Sequence, residues 1–277
     1  MSTRVRLDRP VTVVTAYYRI PSKQKGAVYL KWMSNFLEVI PCHLYVFTEA
    51  RSEAKVKSRR ASFSGTTKIV VREFSELEEV KRLEMWNKQK SLDHETFHTP
   101  ELYALWNQKL HFLMEAIKEN PFDSDYFLWT DIGSFRDKEQ AEQLTSYPDT
   151  NTTATLLGTD KVFFLQMGDF LEEHRKIRWN GLPEKDFQHG TGLAGTVLGG
   201  HANAIREYNQ RYYETMKLMH DNGLFIGKDQ NIMSTVAVLY PDLVKLVKPK
   251  YYLGGANLWF YSHYYFSKRS LNESELN

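Results

Sequence analysis

In the stretch YFLWTDIGSFR, residues 126–136, an apolar run delivers Asp131 and then Gly133 at what its composition marks as the carboxyl end of a buried strand. A carboxylate at a strand end is suited to ligating a hard divalent cation, and the glycine lets a ligand approach the main chain closely. The same Asp-x-Gly is also the composition of a turn, so it needs partners before it amounts to a site. Lys109 falls in the middle of an apolar stripe formed by Leu102, Leu105, Trp106, Leu110, Leu113, Ala116 and Ile117 at helical spacing. An ammonium group there must meet an anion or snorkel to the helix edge. A structural ion pair, a phosphate and a catalytic carboxylate all meet that requirement. Asp229, in GKDQN at residues 227–231, either caps the helix it opens or deprotonates a substrate hydroxyl. The glycines of AGTVLGGH, residues 194–201, either admit a bulky ligand or permit a tight turn, and His201 either caps the next helix or binds an acceptor. His263, in YSHYY, is either a member of an aromatic packing cluster or a metal ligand.

The elements that position these residues follow from periodicity and punctuation. Residues 11–18, VTVVTAYY, read as a first strand covered on both faces. Residues 25–39 read as a helix through Val28, Trp32, Phe36 and Val39, stopped by Pro41. Residues 43–48 and 67–72 predict two more strands, with a polar loop at 58–66 between them. Ser75 and Glu78 have capping-box spacing and predict a helix to about Lys90. Thr99 and Pro100 open another, expected to run to Asn120. Residues 145–155 are polar and read as a helix-breaking linker. Beyond it, 161–166 and 192–200 read as strands and 201–220 as an amphipathic helix. A last helix starts near Asp229, with short strands at 243–247 and 251–253. Strands alternating with helices predict an α/β fold.

Composition narrows the function classes. With 277 residues, 42% hydrophobic and 25% charged, the chain is neither disordered nor fibrous. Lys and Arg number 36 against 34 Asp and Glu, a formal charge of +2, too balanced to predict a nucleic-acid partner. The single cysteine, Cys42, cannot close an intramolecular disulfide, and no apolar segment follows the basic residues of MSTRVRLDRPVTVV. No stretch approaches the roughly 18–20 apolar residues of a membrane span. The expectation is a cytoplasmic protein, at most peripheral to a membrane. Aromatic residues make up 14%, which suits either a large aromatic core or stacking on bases and sugars.

As a set, VTVVTAYY, ELYALWNQK, YFLWTDIGSFR, LGGHANAI and KDQNIMS resemble the bacterial HtrL/YibB-type family, placed with GT-A type glycosyltransferases, over roughly residues 11–249. The resemblance implies a single α/β domain of GT-A type, a mixed central sheet flanked by helices. Its Rossmann-like nucleotide-sugar-binding half would lie at 11–137 and its acceptor-binding half at 155–265. The activity implied is transfer of a sugar from a nucleoside diphosphate donor, UDP-linked, to a hydroxyl of a glycan or glycolipid. On this resemblance Thr15, Ala16, Tyr17 and Arg19 hold the nucleotide, and Lys109 neutralises a phosphate or binds Asp131. Asp131, with Gly133 and Arg136 beside it, carries Mn²⁺ or Mg²⁺ to the diphosphate. Gly199, Gly200, His201 and Gln230 border the acceptor and the sugar, and Asp229 is the general base of an inverting enzyme. One departure stands out: Gly133 replaces the last carboxylate of the family-type Asp-x-Asp signature. His263 is then the candidate second metal ligand, or else Lys109 and Arg136 stabilise the diphosphate without a metal. Two rivals remain. A nucleotidyltransferase or sugar-phosphate enzyme would carry a glycine-rich basic loop where Tyr17-Tyr18-Arg19 stands. A non-catalytic carbohydrate-binding protein would account for the missing carboxylate.

Overall fold

The computed structural model describes residues 9–21, 26–144, 146–188, 192–250 and 257–268. β1 (Val11–Tyr17) is buried at all seven positions, as a β-branched run is when helices cover both faces of a sheet. It lies between β2 (His43–Thr48) and β4 (Tyr126–Thr130), parallel to both. β3 (Thr67–Val71) extends the sheet beyond β2 as a partly exposed edge. β6 (Leu193–His201) runs antiparallel between β4 and β5 (Val162–Gln166), and β7 (Val244–Val247) lies parallel to β5 at the other edge. The order is β3-β2-β1-β4-β6-β5-β7, a mixed α/β sheet flanked by helices in one domain, as expected.

Side chains alternate between two apolar layers, as strand geometry requires. Val14 and Ala16 of β1 face the layer that includes Leu110, Leu113, Ile205, Tyr208, Tyr212, Ile232 and Val236. Those residues come from the helices Lys109–Glu119, Ala202–Asp221 and Asp229–Leu239. Val13 and Tyr17 face the layer of Met33, Phe36, Leu156, Leu157 and Tyr265, from the helices Gly26–Val39, Thr150–Leu157 and Tyr261–Tyr265. The carboxyl ends of β1, β2 and β4 share one side of the sheet. Because β6 is reversed, its first residues lie on that side too, and Asp131 N–H donates to Thr196 O at 2.9 Å.

Several expected elements differ. Between β2 and β3 the sequence marks only the polar loop at 58–66; the helix Ala50–Arg59 precedes it and overlaps its start, since a parallel pair needs a crossover and not a tight loop. The capping box lies at Glu73 and Glu76 and closes only a single turn; the ordered helix is the short Leu83–Gln89. Thr99 does cap Pro100–Asn107, accepting from Leu102 N–H, but the expected long helix divides at Gln108. Tertiary bonds hold the break: Tyr212 hydroxyl donates to Asn107 Oδ1 at 2.6 Å, and Tyr213 hydroxyl to Asn107 O at 2.8 Å. The expected linker is mostly the helix Thr150–Leu157, capped by Asp149, whose Leu156 and Leu157 enter the core. The helix Asp229–Leu239 is not the last, because Tyr261–Tyr265 follows. The strand expected at 251–253 lies outside the described residues. No helix among the described residues is long and apolar enough to cross a membrane.

Candidate active site

Asp131 is the first residue past β4, and the reversed strand β6 passes beside it. Lys109 opens the Lys109–Glu119 helix on the opposite side, with its side chain only 4% exposed. Its ammonium donates to Asp229 Oδ2 at 2.7 Å and to Gly195 O at 2.7 Å, and lies 3.5 Å from Asp131 Oδ1. All three donors of the lysine therefore have a destination. Burial alone would push the ammonium down; the carboxylates of Asp131 and Asp229 outweigh it and hold Lys109 above the usual lysine range. Trp129 indole N–H donates to Asp131 Oδ1 at 2.7 Å. Burial pushes the Asp131 carboxyl up, opposed by Lys109 and that indole.

Gly195 makes this cluster sterically feasible. A Cβ at that position would lie 3.0 Å from Asp229 Oδ2 and 3.1 Å from Lys109 Nζ. Sequence reading passed over Gly195 in favour of the glycine pair further along the same segment.

Asp131 opens into a cavity of about 560 Å³. Ala16, Tyr17 and Arg19 from the end of β1 line it, as do Lys109 and Arg136, so these expected donor residues are brought together. Thr15 is fully buried and does not line the cavity. Tyr29, Arg51, Leu102, Leu105 and Trp106, which the sequence does not mark as site residues, line the same space, as does Trp129, a candidate from its sequence for stacking on a sugar. Leu102, Leu105 and Trp106 look like core residues because their helical spacing is the same whether the stripe faces a core or a cleft. Tyr17 and Tyr29 stack with ring centres 6.4 Å apart. The Arg136 guanidinium lies 4.4 Å from the Trp32 ring and 4.8 Å from the Phe260 ring. It has no carboxylate partner among the described residues, so stacking holds it while its N–H donors stay available.

Other expected site residues lie elsewhere. Gly199, Gly200 and His201 pair with Leu128, Phe127 and Tyr126, toward the beginning of β4 and away from Asp131. A Cβ on Gly199 would lie 2.1 Å from Phe127 O, and one on Gly200 2.3 Å from Lys161 O. These glycines let β6 fit between its neighbours and do not border an acceptor. His201 caps its helix by accepting from Asn203 N–H. Asp229 is 3% exposed, spends Oδ2 on Lys109 and accepts from Gln230 N–H at Oδ1, so it cannot serve as a base for an acceptor in the cavity. The helix cap is Lys228, not Asp229. Gly133 packs under Tyr29 and Trp32: a Cβ there would lie 3.1 Å from the Tyr29 ring and 3.5 Å from the Trp32 ring.

The metal expected from the sequence does not fit these residues. Asp131 Oδ1 already faces an indole N–H and an ammonium, and Asp229 is committed to the same ammonium. A divalent cation on Asp131 would sit against the positive charge of Lys109. His263 belongs to a different cavity, hydrogen-bonds through Nε2 to Ser134 Oγ at 3.0 Å, whose own proton goes to Asp131 O, and stacks on Phe135. Burial lowers its imidazole to about 3. Among the described residues no three His, Cys, Asp or Glu side chains gather to hold a metal ion.

Residues 9–254 match the family model HtrL_YibB, described as a bacterial protein of unknown function. Among solved structures, the chain is similar to mouse xyloside xylosyltransferase 1 in its apo form, at 12% identity and a TM-score of 0.46, over 86% of this chain and 84% of that one. No curated protein matches the chain.

Proposed function

We propose that this chain, which belongs to the HtrL_YibB family, is a glycosyltransferase that moves a sugar from a nucleoside diphosphate donor, UDP-linked, to a hydroxyl of a glycan or glycolipid. The carrying observation is the cavity at the carboxyl ends of β1 and β4. It combines aromatic rings, three arginines and one carboxylate braced by a buried ammonium. In this reading the rings of Tyr17 and Tyr29 take the base, and the free fork of Arg136, with Arg19 and Arg51 nearby, takes the diphosphate. Asp131 Oδ2 has no hydrogen-bond partner among the described residues and accepts from hydroxyls of the transferred sugar. The same carboxylate stabilises the positive charge that develops at the anomeric carbon as the diphosphate departs. Lys109 is a positioning residue that fixes Asp131 and opposes the upward push of burial on its carboxyl. No step runs through a metal. The donor half is then 11–137, since every lining residue of the cavity falls between Ala16 and Arg136.

The test is thermal stability with UDP, GDP, CMP and dTDP, each with Mn²⁺ or EDTA, because a ligand at 100 Kd stabilises the native state by about 2.7 kcal/mol. The expected result is a rise in Tm for one diphosphate that survives EDTA and disappears in Arg136→Ala, with donor hydrolysis lost in Asp131→Asn. Silence from every nucleotide overturns the donor site, and a shift that requires Mn²⁺ overturns the metal-free arrangement.

A further inference from the structure

A second cleft, about 670 Å³, adjoins the donor cavity and shares Leu102, Trp106 and Arg136 with it. Asp93, Glu95, His98, Lys228, Gln230 and Asn231 form much of the remainder. We infer that this cleft is the acceptor subsite, that it takes an uncharged sugar ring through its hydroxyls, and that Glu95 receives the acceptor's proton. The inference rests on the donor reading above.

Asn231 points most directly to a ligand. It is 3% exposed, yet its Nδ2 has no hydrogen-bond partner. A buried donor left unpaired destabilises the fold, and a hydroxyl in the cleft satisfies it. The formal charges around it balance, Asp93 and Glu95 against Lys228 and Arg136. Glu95 Oε1 lies 3.0 Å from Lys228 Nζ, Glu95 Oε2 lies 3.0 Å from His98 Nε2, and His98 Nδ1 lies 2.8 Å from Asp93 Oδ2. Burial pushes the Asp93 carboxyl up, but hydrogen bonds from Tyr103 hydroxyl, Glu95 N–H and His98 outweigh it and hold Asp93 below the usual carboxylate range. Such a set of fixed acceptors and donors, with little net field, suits a polyol better than a phosphate or a carboxylate. Trp106 stands at the partition, 4.9 Å from the His98 ring, and offers an aromatic face to a pyranose.

The two spaces meet at Trp106 and Arg136, so a hydroxyl in the cleft faces the anomeric carbon of a donor whose diphosphate lies on Arg136. In transfer the acceptor oxygen bonds to that carbon, and the bond from the carbon to the diphosphate oxygen breaks with its electron pair leaving on the diphosphate. The hydroxyl proton passes to Glu95, whose side chain is 43% exposed. Asp229, the carboxylate expected from the sequence to do this, is sealed behind Lys109.

The experiment titrates methyl and octyl β-glucosides and β-galactosides into the full chain with UDP present, followed by saturation-transfer NMR. Saturable binding is expected for at least one glycoside, at least tenfold weaker in Asn231→Asp and Asn231→Ala, with transfer to it slowed at least tenfold in Glu95→Gln. Asn231→Ala should melt at or above the wild-type temperature, since the Nδ2 donor it removes has no partner; a lower Tm with unchanged affinity makes Asn231 structural and overturns the inference. Tighter binding of the octyl glycoside identifies a lipid-linked acceptor, and equal binding a free glycan. A nucleotide shift without glycoside binding overturns the acceptor cleft alone. Asn231-dependent glycoside binding without any nucleotide shift upholds the cleft as a sugar site and overturns the donor reading instead.

Discussion

Lys109 is held by two carboxylates and a carbonyl, and that geometry separates its structural from its chemical work. Removing the ammonium leaves Asp229 buried without its cation and Asp131 beside it, two like charges sharing one desolvated space. Lys109→Met should therefore cost about 3–5 kcal/mol, the usual penalty for breaking a buried pair from one side, read as a lower urea midpoint with unchanged slope. A double variant, Lys109→Met with Asp229→Leu, should recover much of that loss while donor hydrolysis stays absent, because Asp131 has lost its brace. Equal stability of the single variant and the wild type would show that the cluster carries no such strain. The oddity of Lys109 was legible in the sequence, since an ammonium on an apolar stripe has to find an anion. Its partner was not legible: an aspartate opening a helix looks the same whether it caps, acts as a base or seals a lysine 120 positions away.

Strands were easier to read than helices, and the reason is burial. β1, β2, β4 and β5 are apolar runs buried along nearly their whole length, so their composition alone marks them. The helix Ala50–Arg59 buries only Ser52 and Val56 and leaves no apolar stripe to find. The break at Gln108 is equally invisible, because it depends on Tyr212 and Tyr213 reaching Asn107 from another helix. In β6 the sequence marks the glycine pair as a border for acceptor and sugar, and the structure gives it a packing role. Its true constraint is the gap between β4 and β5, where a methyl group on Gly199 would meet the main chain at 2.1 Å. Gly199→Ala should thus destabilise the fold by about 3 kcal/mol or more, the upper range of overpacking, because the main chain of β4 at Phe127 and Leu128 cannot yield as a flexible side chain would. The same measurement on Gly223→Ala gives the contrast: no atom stands within 4 Å of its Cβ position, so only the cost of its φ of +71° remains, about 1 kcal/mol. Comparable losses at the two positions would mean that strand spacing is not what fixes Gly199.

At the scale of the whole molecule, the region past β4 has two neighbouring spaces with opposite electrostatic characters. One holds the charged cluster around Asp131; the other encloses His263 among Phe135, Tyr147 and Phe260, with the ring neutral. That neutral ring makes the fold sensitive to acid. Burial lowers the His263 imidazole to about 3, whereas in the unfolded chain it titrates near the ordinary value of about 6.5. Between those two values the unfolded state binds the extra proton, so stability rises with pH across the window and is flat, as far as His263 is concerned, above it. The loss on acidification is about 1.4 kcal/mol per pH unit below 6.5, or about 2 kcal/mol by pH 5. Burial lowers His43, His174 and His201 as well, so the wild-type slope contains their shares. His263→Phe isolates the term. It keeps an aromatic ring against Phe135 but removes the titrating group, at the expense of the hydrogen bond to Ser134 Oγ. Urea unfolding from pH 7.0 down to 4.5 should show a variant less stable than wild type near neutrality whose disadvantage shrinks by about 1.4 kcal/mol for each unit below 6.5, until it becomes an advantage. Parallel curves for the two proteins would mean that His263 takes up its proton in the folded state, which its sealed aromatic surroundings argue against.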